Sequence, residues 1–371
     1  MFRFKKSTTH DHKPKWKFYT QQPPKKEVAQ WQRLCEENKL SNASSFPSFA
    51  FASQSLLSDY DLIYAFCYKN KALVCVVPLT RIRKEMGYVR INVLQVINHS
   101  ELDIFVPAYR HSESINSLIK SLCSAIRSQI DNWDYFLLEN WLNTDVIYPG
   151  KIISYEKKTT YFDLNDKISI SDLIPSKLLR NIRRNEKKIF PRRHTASLES
   201  FCKGEEFADA LQSFFQLEHS GWKGEKGTSI QSNEDTQRFY RQFWTDDNKS
   251  SVTLLKLDDT ILAGAITFTH DSILYLHKIT YKESFGKFGP GSILIKNLLE
   301  NLLLQSEISK LCFNSDPEWL TRWKPERYRL SAIELFNNTP KGIIFKIMFF
   351  SYRKIKNLGI KMSNLSFFLL R

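Results

Sequence analysis

No run of about 18 apolar residues occurs in the sequence, so a membrane-spanning helix is not expected. The six cysteines (Cys35, Cys67, Cys75, Cys123, Cys202 and Cys312) contain no C-x-x-C pair, and no histidine spacing suits zinc. A dithiol centre and a metal site are therefore not indicated. Most of these cysteines sit in apolar runs and read as small core residues, which fits a reducing compartment. Met1–Lys17 is basic but lacks the apolar stretch of a signal peptide, so a cytoplasmic protein is expected. Acids are scarce: 39 Asp and Glu against 54 Lys and Arg leave a formal charge of +15. That imbalance says nothing of fold. It favours an anionic partner, whether a phosphorylated cofactor, RNA or an anionic membrane surface, unless it only reflects compositional bias.

What is present is ample apolar material. Hydrophobic residues make up 42% and aromatics 13% of 371 residues, which excludes global disorder and suits one large domain or two packed halves. Residues 1–26 are rich in Lys, His, Gln and Pro without periodicity and read as a basic tail. Leu62–Tyr68 and Ala72–Pro78 are β-rich runs joined at Lys69-Asn70-Lys71, which predicts a hairpin. Val89–Ile97 follows Arg81–Gly87, read as a basic turn. Ser114–Ile130 carries a helical apolar stripe and Tyr135–Leu138 a short strand.

Strand, strand, strand, helix, strand then recurs as Val252–Leu257, Ile261–Thr269, Ile273–Tyr281, Leu294–Leu304 and Lys310–Asn314. Helices precede this second series at 178–189, Phe207–His219 and Gln237–Trp244. No residue-level repeat accompanies the repeated order. The expected class is α/β (α+β), with two similar halves of mixed sheet flanked by helices. The halves are placed at 27–165 and 166–340, and a basic amphipathic segment at 341–371.

The segment richest in chemistry is Phe288–Ile293, F-G-P-G-S-I, between a strand and a helix. Gly289 and Gly291 allow a tight turn and Pro290 stiffens it. Gly291, Ser292 and Ile293 are then expected to offer free N–H groups at a helix start, where an anion such as a pyrophosphate is favoured. An ordinary turn and cap has the same appearance.

The run "HKITYKESFGKFGPGSIL" (277–294) resembles a segment of the CelD-like acyltransferases, a group of the GNAT superfamily related in architecture to the FemABX proteins. "LEHSGWKGEKGTSI" (Leu217–Ile230) is similar to the same group's Glu-x-x-Gly-Trp-Lys-Gly motif, and "CFNSDPEWLTRWKPER" (Cys312–Arg327) to its closing segment. The acid expected after Tyr281 is Lys282 here, and the closing segment is shorter than the family form.

The resemblance implies a tandem GNAT-like acyl-CoA N-acyltransferase fold. Acyl-CoA, acetyl-CoA first, is the implied co-substrate, with no metal, and a small-molecule amine is the acceptor. It implies Glu218, His277 and Tyr281 as catalytic candidates, with His219 a further base. Tyr281 is the implied acid for a thiolate, while Glu218 and His277 are placed to deprotonate the amine. Lys278, Phe288, Gly289, Gly291 and Ser292 would hold the cofactor, and Trp222, Lys223, Asp316 and Trp323 the acceptor. Each has a plainer role open to it. For Glu218 it is pinning its loop, for His277 and Lys278 that of plain strand residues, for Trp222 a packing anchor and for Asp316 a turn cap.

Two basic regions remain. Lys177–Arg193 puts Lys177, Arg180, Arg183, Arg184, Lys187, Lys188, Arg192 and Arg193 against the single acid Glu186. It is either a solvated face or an anion-binding one. Lys341–Arg371 has no acid, and Phe345, Met348, Phe349, Tyr352 and Ile355 share one side if helical. That face either packs on the domain or rests on an anionic membrane at the cytoplasmic side. Two other functions stay open: an aminoacyl-tRNA-dependent Fem-like transferase, and a non-catalytic module binding lipid or nucleic acid.

Overall fold

Asn70 and Lys71 both take positive φ, 51° and 65°, and close a two-residue hairpin of the twist that favours strand pairing. They join β2 (Asp61–Lys69) to β3 (Ala72–Met86). The computed structural model to which they belong describes residues 13–38, 43–86, 89–97, 99, 101, 107–141, 157–190, 196–202, 204–245, 250–270, 272–305 and 307–357.

Ahead of the hairpin lie β1 (Lys15–Tyr19), α1 (Lys25–Glu37) and α2 (Pro47–Ala52). After it come β4 (Val89–Val96), β5 (Ala108–Tyr109), α3 (Ile115–Gln129) and β6 (Tyr135–Trp141). Then follow β7 (Lys157–Asp163), α4 (Ser176–Ile189), β8 (Ala196–Phe201), α5 (Gly204–His219), α6 (Trp222–Glu225) and α7 (Glu234–Thr245). The chain continues through β9 (Ser250–Leu257), β10 (Thr260–His270), β11 (Ile273–Tyr281), α8 (Pro290–Leu303), β12 (Lys310–Cys312), β13 (Glu326–Phe336) and α9 (Pro340–Asn357).

The repeated order expected from the sequence is present. β2-β3-β4-α3-β6 and β9-β10-β11-α8-β12 are each an antiparallel meander followed by a helical crossover to a parallel strand, β4 with β6 and β11 with β12. The strands run β1-β2-β3-β4-β6-β13-β7-β12-β11-β10-β9-β8, with β5 beside β3. β13 pairs with β6 on one side and β7 on the other, so one strand joins the two sheets.

Three sequence expectations are corrected here. Lys15–Tyr19, assigned to a tail, is a strand on β2 because Trp16 is buried and its indole N–H donates to Ser121 Oγ at 2.9 Å. Residues 1–12 of that tail lie outside the described residues. Arg81–Met86, read as a turn, continues β3 and pairs with β4 as far as Met86 opposite Val89. β7 precedes residue 165 but pairs with β12 and β13, so the halves interlock instead of meeting at one boundary.

The second half has its core between α4, α8 and the face of β9–β12. Ile293, Leu294, Leu299, Leu311, Leu320 and Trp323 are among its buried members, each contributing about 1.5–3 kcal/mol on burial. Lys296 is also buried on α8. Glu186 of α4 takes its ammonium at 2.8 and 2.9 Å and Glu300 at 3.1 Å, so a paired charge fixes α4 to α8. Five cysteines are buried and only Cys202 is exposed; burial pushes the Cys123 thiol up to about 12.

Candidate active site

β11 is the strand that shapes the site. It pairs with β10 to its end at Tyr281, but with β12 only over Ile273–Tyr275. The edge of Leu276–Tyr281 that faces away from β10 therefore has no strand partner among the described residues. Lys278 stands opposite Ile266 and Leu276 opposite Thr267, which leaves His277 as an extra residue, a β-bulge. Bulges bend a strand and redirect its side chains, and here His277 and Lys278 both turn toward the N-terminal half.

A cavity of about 440 Å³ opens at the far end of β11. Ile279, Thr280 and Tyr281 form one wall. Gly289, Gly291 and Ser292 at the start of α8 form another. Glu218, Gly221, Trp222 and Lys223 close a third side, and Trp319 and Arg322 the mouth.

The helix start is built by Gly289, whose φ of 64° makes it a left-handed N-cap, followed by Pro290 at the first helical position. Its carbonyl accepts from Ser292 N at 2.9 Å and Ile293 N at 3.2 Å. Of the three amides expected to be free, only that of Gly291 has no backbone acceptor among the described residues. A Cβ on Gly291 would stand 3.6 Å from the Tyr281 ring and 3.8 Å from Ile279, inside the cavity. Glycine keeps that cradle open. Arg322 Nη2 donates to Ser292 Oγ at 3.0 Å, so a guanidinium, a hydroxyl and the positive end of α8 converge.

The Gly-rich loop is held by carboxylates. Glu218, buried on α5, accepts from Lys223 Nζ with one oxygen and from Ile230 N, at 2.8 Å, with the other. His219 Nδ1 lies 2.9 Å from Ser229 Oγ, a second tie within the same loop. Glu283 Oε1 accepts from Trp222 N at 2.7 Å and binds the loop to the segment after β11. The acid expected directly after Tyr281 thus occurs one residue later. Trp222 itself is exposed, with the Lys226 ammonium 5.1 Å from its ring centre. Tyr281 is exposed too, and its hydroxyl has no hydrogen-bond partner among the described residues.

The cavity therefore gathers Glu218, Trp222, Lys223, Tyr281, Gly289, Gly291 and Ser292. It does not gather the others. His277 and Lys278 belong to an enclosed cluster between the halves: Tyr240 Oη donates to Glu101 Oε2 at 2.7 Å and stands 2.9 Å from His277 Nε2. Lys278 Nζ meets the same Glu101 oxygen at 2.7 Å, so its charge is spent there and not on a cofactor phosphate. Burial would raise the Glu101 carboxyl, but Lys278 and Tyr240 hold it down at about 2. Burial, and next the Lys278 charge, push His277 down to about 3. Phe288 packs partly into the core beside α8. Asp316 accepts from Arg327 Nε with both oxygens at 3.1 Å, and Trp323 is fully buried near Phe162.

Trp319 and Arg322 were missed by the sequence reading. Glu318–Trp323 is a 3-10 turn, in which residues three apart share a side. Leu320 and Trp323 face the core, which sends Trp319 and Arg322 to the cavity. That three-residue spacing is the signal that finds them.

Residues 176–324 match the acetyltransferase (GNAT) domain family. Over this stretch, which is under half of the chain, the sequence is that of a GNAT-like domain. The match runs from α4 to just past Trp323 and contains every cavity residue named above, which makes the chain a transferase of this fold. Among solved structures, FemX superposes on the GNAT pair with a TM-score of 0.57 at 10% identity, over 84% of this chain and 96% of its own. L-PGS from Bacillus licheniformis does so with a TM-score of 0.51 at 15% identity, over 85% and 93%. At these identities the likeness speaks for the fold, a tandem GNAT architecture. Among curated proteins none matches the sequence. Among the described residues no helix is long and apolar enough to cross a membrane.

Proposed function

We propose that the chain is an acyl-CoA-dependent N-acyltransferase of the CelD-like kind, most readily an acetyltransferase. Its acceptor is an amine of a sugar, amino acid or cell-envelope precursor. The observation that carries this reading is the cavity itself, which joins an anion cradle at one end to the Ile279–Tyr281 end of β11 and the Tyr281 phenol at the other.

Gly291 N–H, Ser292 Oγ, Arg322 and the α8 dipole suit a pyrophosphate. α4 packs on α8 and the Glu283–Phe288 turn through Leu179, Ile182 and Ile189, which turns its basic side outward next to the helix that starts at the cradle. Acyl-CoA would supply an acyl group activated as a thioester. Backbone N–H groups on the edge of Ile279–Tyr281 that faces away from β10 and lines the cavity are the donors available to a carbonyl oxygen gaining negative charge. Tyr281 Oη holds the proton suited to a departing thiolate. No side chain is assigned as general base, because both Glu218 oxygens are engaged and His277 is enclosed and only weakly basic.

Transfer from an aminoacyl-tRNA is the second reading, favoured by the charge of +15. Calorimetry separates the two. Acetyl-CoA or a longer acyl-CoA should bind the wild type with Kd on the order of micromolar. The same titration on Gly291→Val, whose side chain enters the cradle, should give little heat. Binding of bulk tRNA with indifference to every acyl-CoA would overturn the proposal.

A further inference from the structure

α9 carries two apolar faces, and only one is used. Phe345 and Phe349 are buried against Tyr135, Ile91 and Phe336 of the first sheet. Of the two roles the sequence leaves open for this face, packing on the domain is the one that Phe345 and Phe349 take. On the opposite side Ile343, Ile344, Ile347 and Phe350 remain 46%, 47%, 62% and 40% exposed. Residues 343, 347 and 350 follow i, i+4, i+7 spacing and form a stripe along the helix. A groove of about 400 Å³ runs beside it, lined among others by Arg127, Lys346, Ile347 and Phe350.

We infer that this outer stripe of α9 docks on the surface of an anionic phospholipid bilayer. Charge selects the occupant. Lys341, Lys346 and Lys354 punctuate the helix, Arg127 faces the groove, and residues 341–371 contain no acid. Cations beside apolar side chains suit anionic headgroups above acyl chains. A second copy is disfavoured because two such faces would bring lysines against lysines. The helix lies on such a surface and does not cross it. The inference stands apart from the acyl-transfer reading, since none of these residues lines the active-site cavity.

The test is co-sedimentation of the full chain with vesicles of phosphatidylcholine alone and of equimolar phosphatidylcholine and phosphatidylglycerol. Sedimentation with the anionic vesicles only is expected. Ile347→Glu should weaken it by about tenfold or more. Lys341→Glu with Lys354→Glu, which leaves the packed face untouched, should weaken it by a similar factor, about fivefold per charge. Near-UV circular dichroism checks that each variant is folded, and the lysine pair decides if Ile347→Glu is not. Absence of vesicle binding, equal binding to both vesicle types, or binding undiminished in folded variants would overturn the inference. So would a dimer abolished by Ile347→Glu, which would show that a second copy covers the stripe.

Discussion

His277 should make the protein acid-labile well above the range where carboxylates titrate. Its imidazole is enclosed on the β11 bulge, and burial together with Lys278 lowers it from 6.5 to about 3. Tyr240 gives its one proton to Glu101, so the Nε2 of neutral His277 must donate to the Tyr240 oxygen. The unfolded chain takes up a proton near pH 6.5 and the folded chain does not until about pH 3. The contribution of neutral His277 is thus complete above pH 6.5 and is lost as pH falls from there to about 3. The slope is about 1.4 kcal/mol per pH unit, or about 2 kcal/mol at pH 5 and about 3 kcal/mol at pH 4. Glu101, held at about 2 against an ordinary 4.5, adds a further loss only below pH 4.5.

His277→Gln keeps a donor toward Tyr240 but does not titrate. Guanidinium unfolding of wild type and variant between pH 8 and pH 4.5 measures the difference. The wild-type curve should fall away below pH 6.5 while the variant stays flat. Parallel curves over that interval would refute the placement of a neutral, enclosed imidazole.

Three further outcomes concern the cavity and the loop beside it. Arg322→Ala should weaken acyl-CoA binding about tenfold to hundredfold by calorimetry, the loss of one charged hydrogen bond from an anion site. Tyr281→Phe should lower kcat about a hundredfold or more in a thiol-release assay with KM little changed, since it removes a proton and no binding surface. Gly224→Ala should lower stability by about 3 kcal/mol, read as a drop in Tm, because its Cβ would collide with the backbone carbonyl of His219.

The element order of both halves could be read from the sequence because their strands and helices have clean periods. The polar turn at Asn70-Lys71, the stripe on α3 and the Gly-Pro start of α8 are local signals, and the fold honours them. β7 and β13 could not be read in this way. Their strand identity comes from pairing with each other and with β6 and β12, contacts far apart in the chain. Arg81–Met86 reads as a turn for a related reason, since four of its six residues are charged and without alternation, and only its pairing with β4 defines it as a strand.

At the site, local chemistry was legible and long-range partners were not. Gly289, Gly291 and Ser292 lie where their sequence put them. From the sequence Lys278 is either a phosphate ligand in the resembling motif or a solvated strand residue, and its actual partner Glu101 arrives from the other half. Asp316 and Trp323 belong to a motif that does reach the cavity, but through their neighbours Trp319 and Arg322.

The most direct test is acyl transfer itself. The full chain is incubated with acetyl-CoA and a mixture of amino sugars and amino acids, and free thiol and N-acylated products are measured together. Thiol release matched by an N-acetyl product, and abolished in Gly291→Val, is the predicted result. Consumption of aminoacyl-tRNA with no thiol released from any acyl-CoA would contradict the assignment of this cavity to a thioester donor.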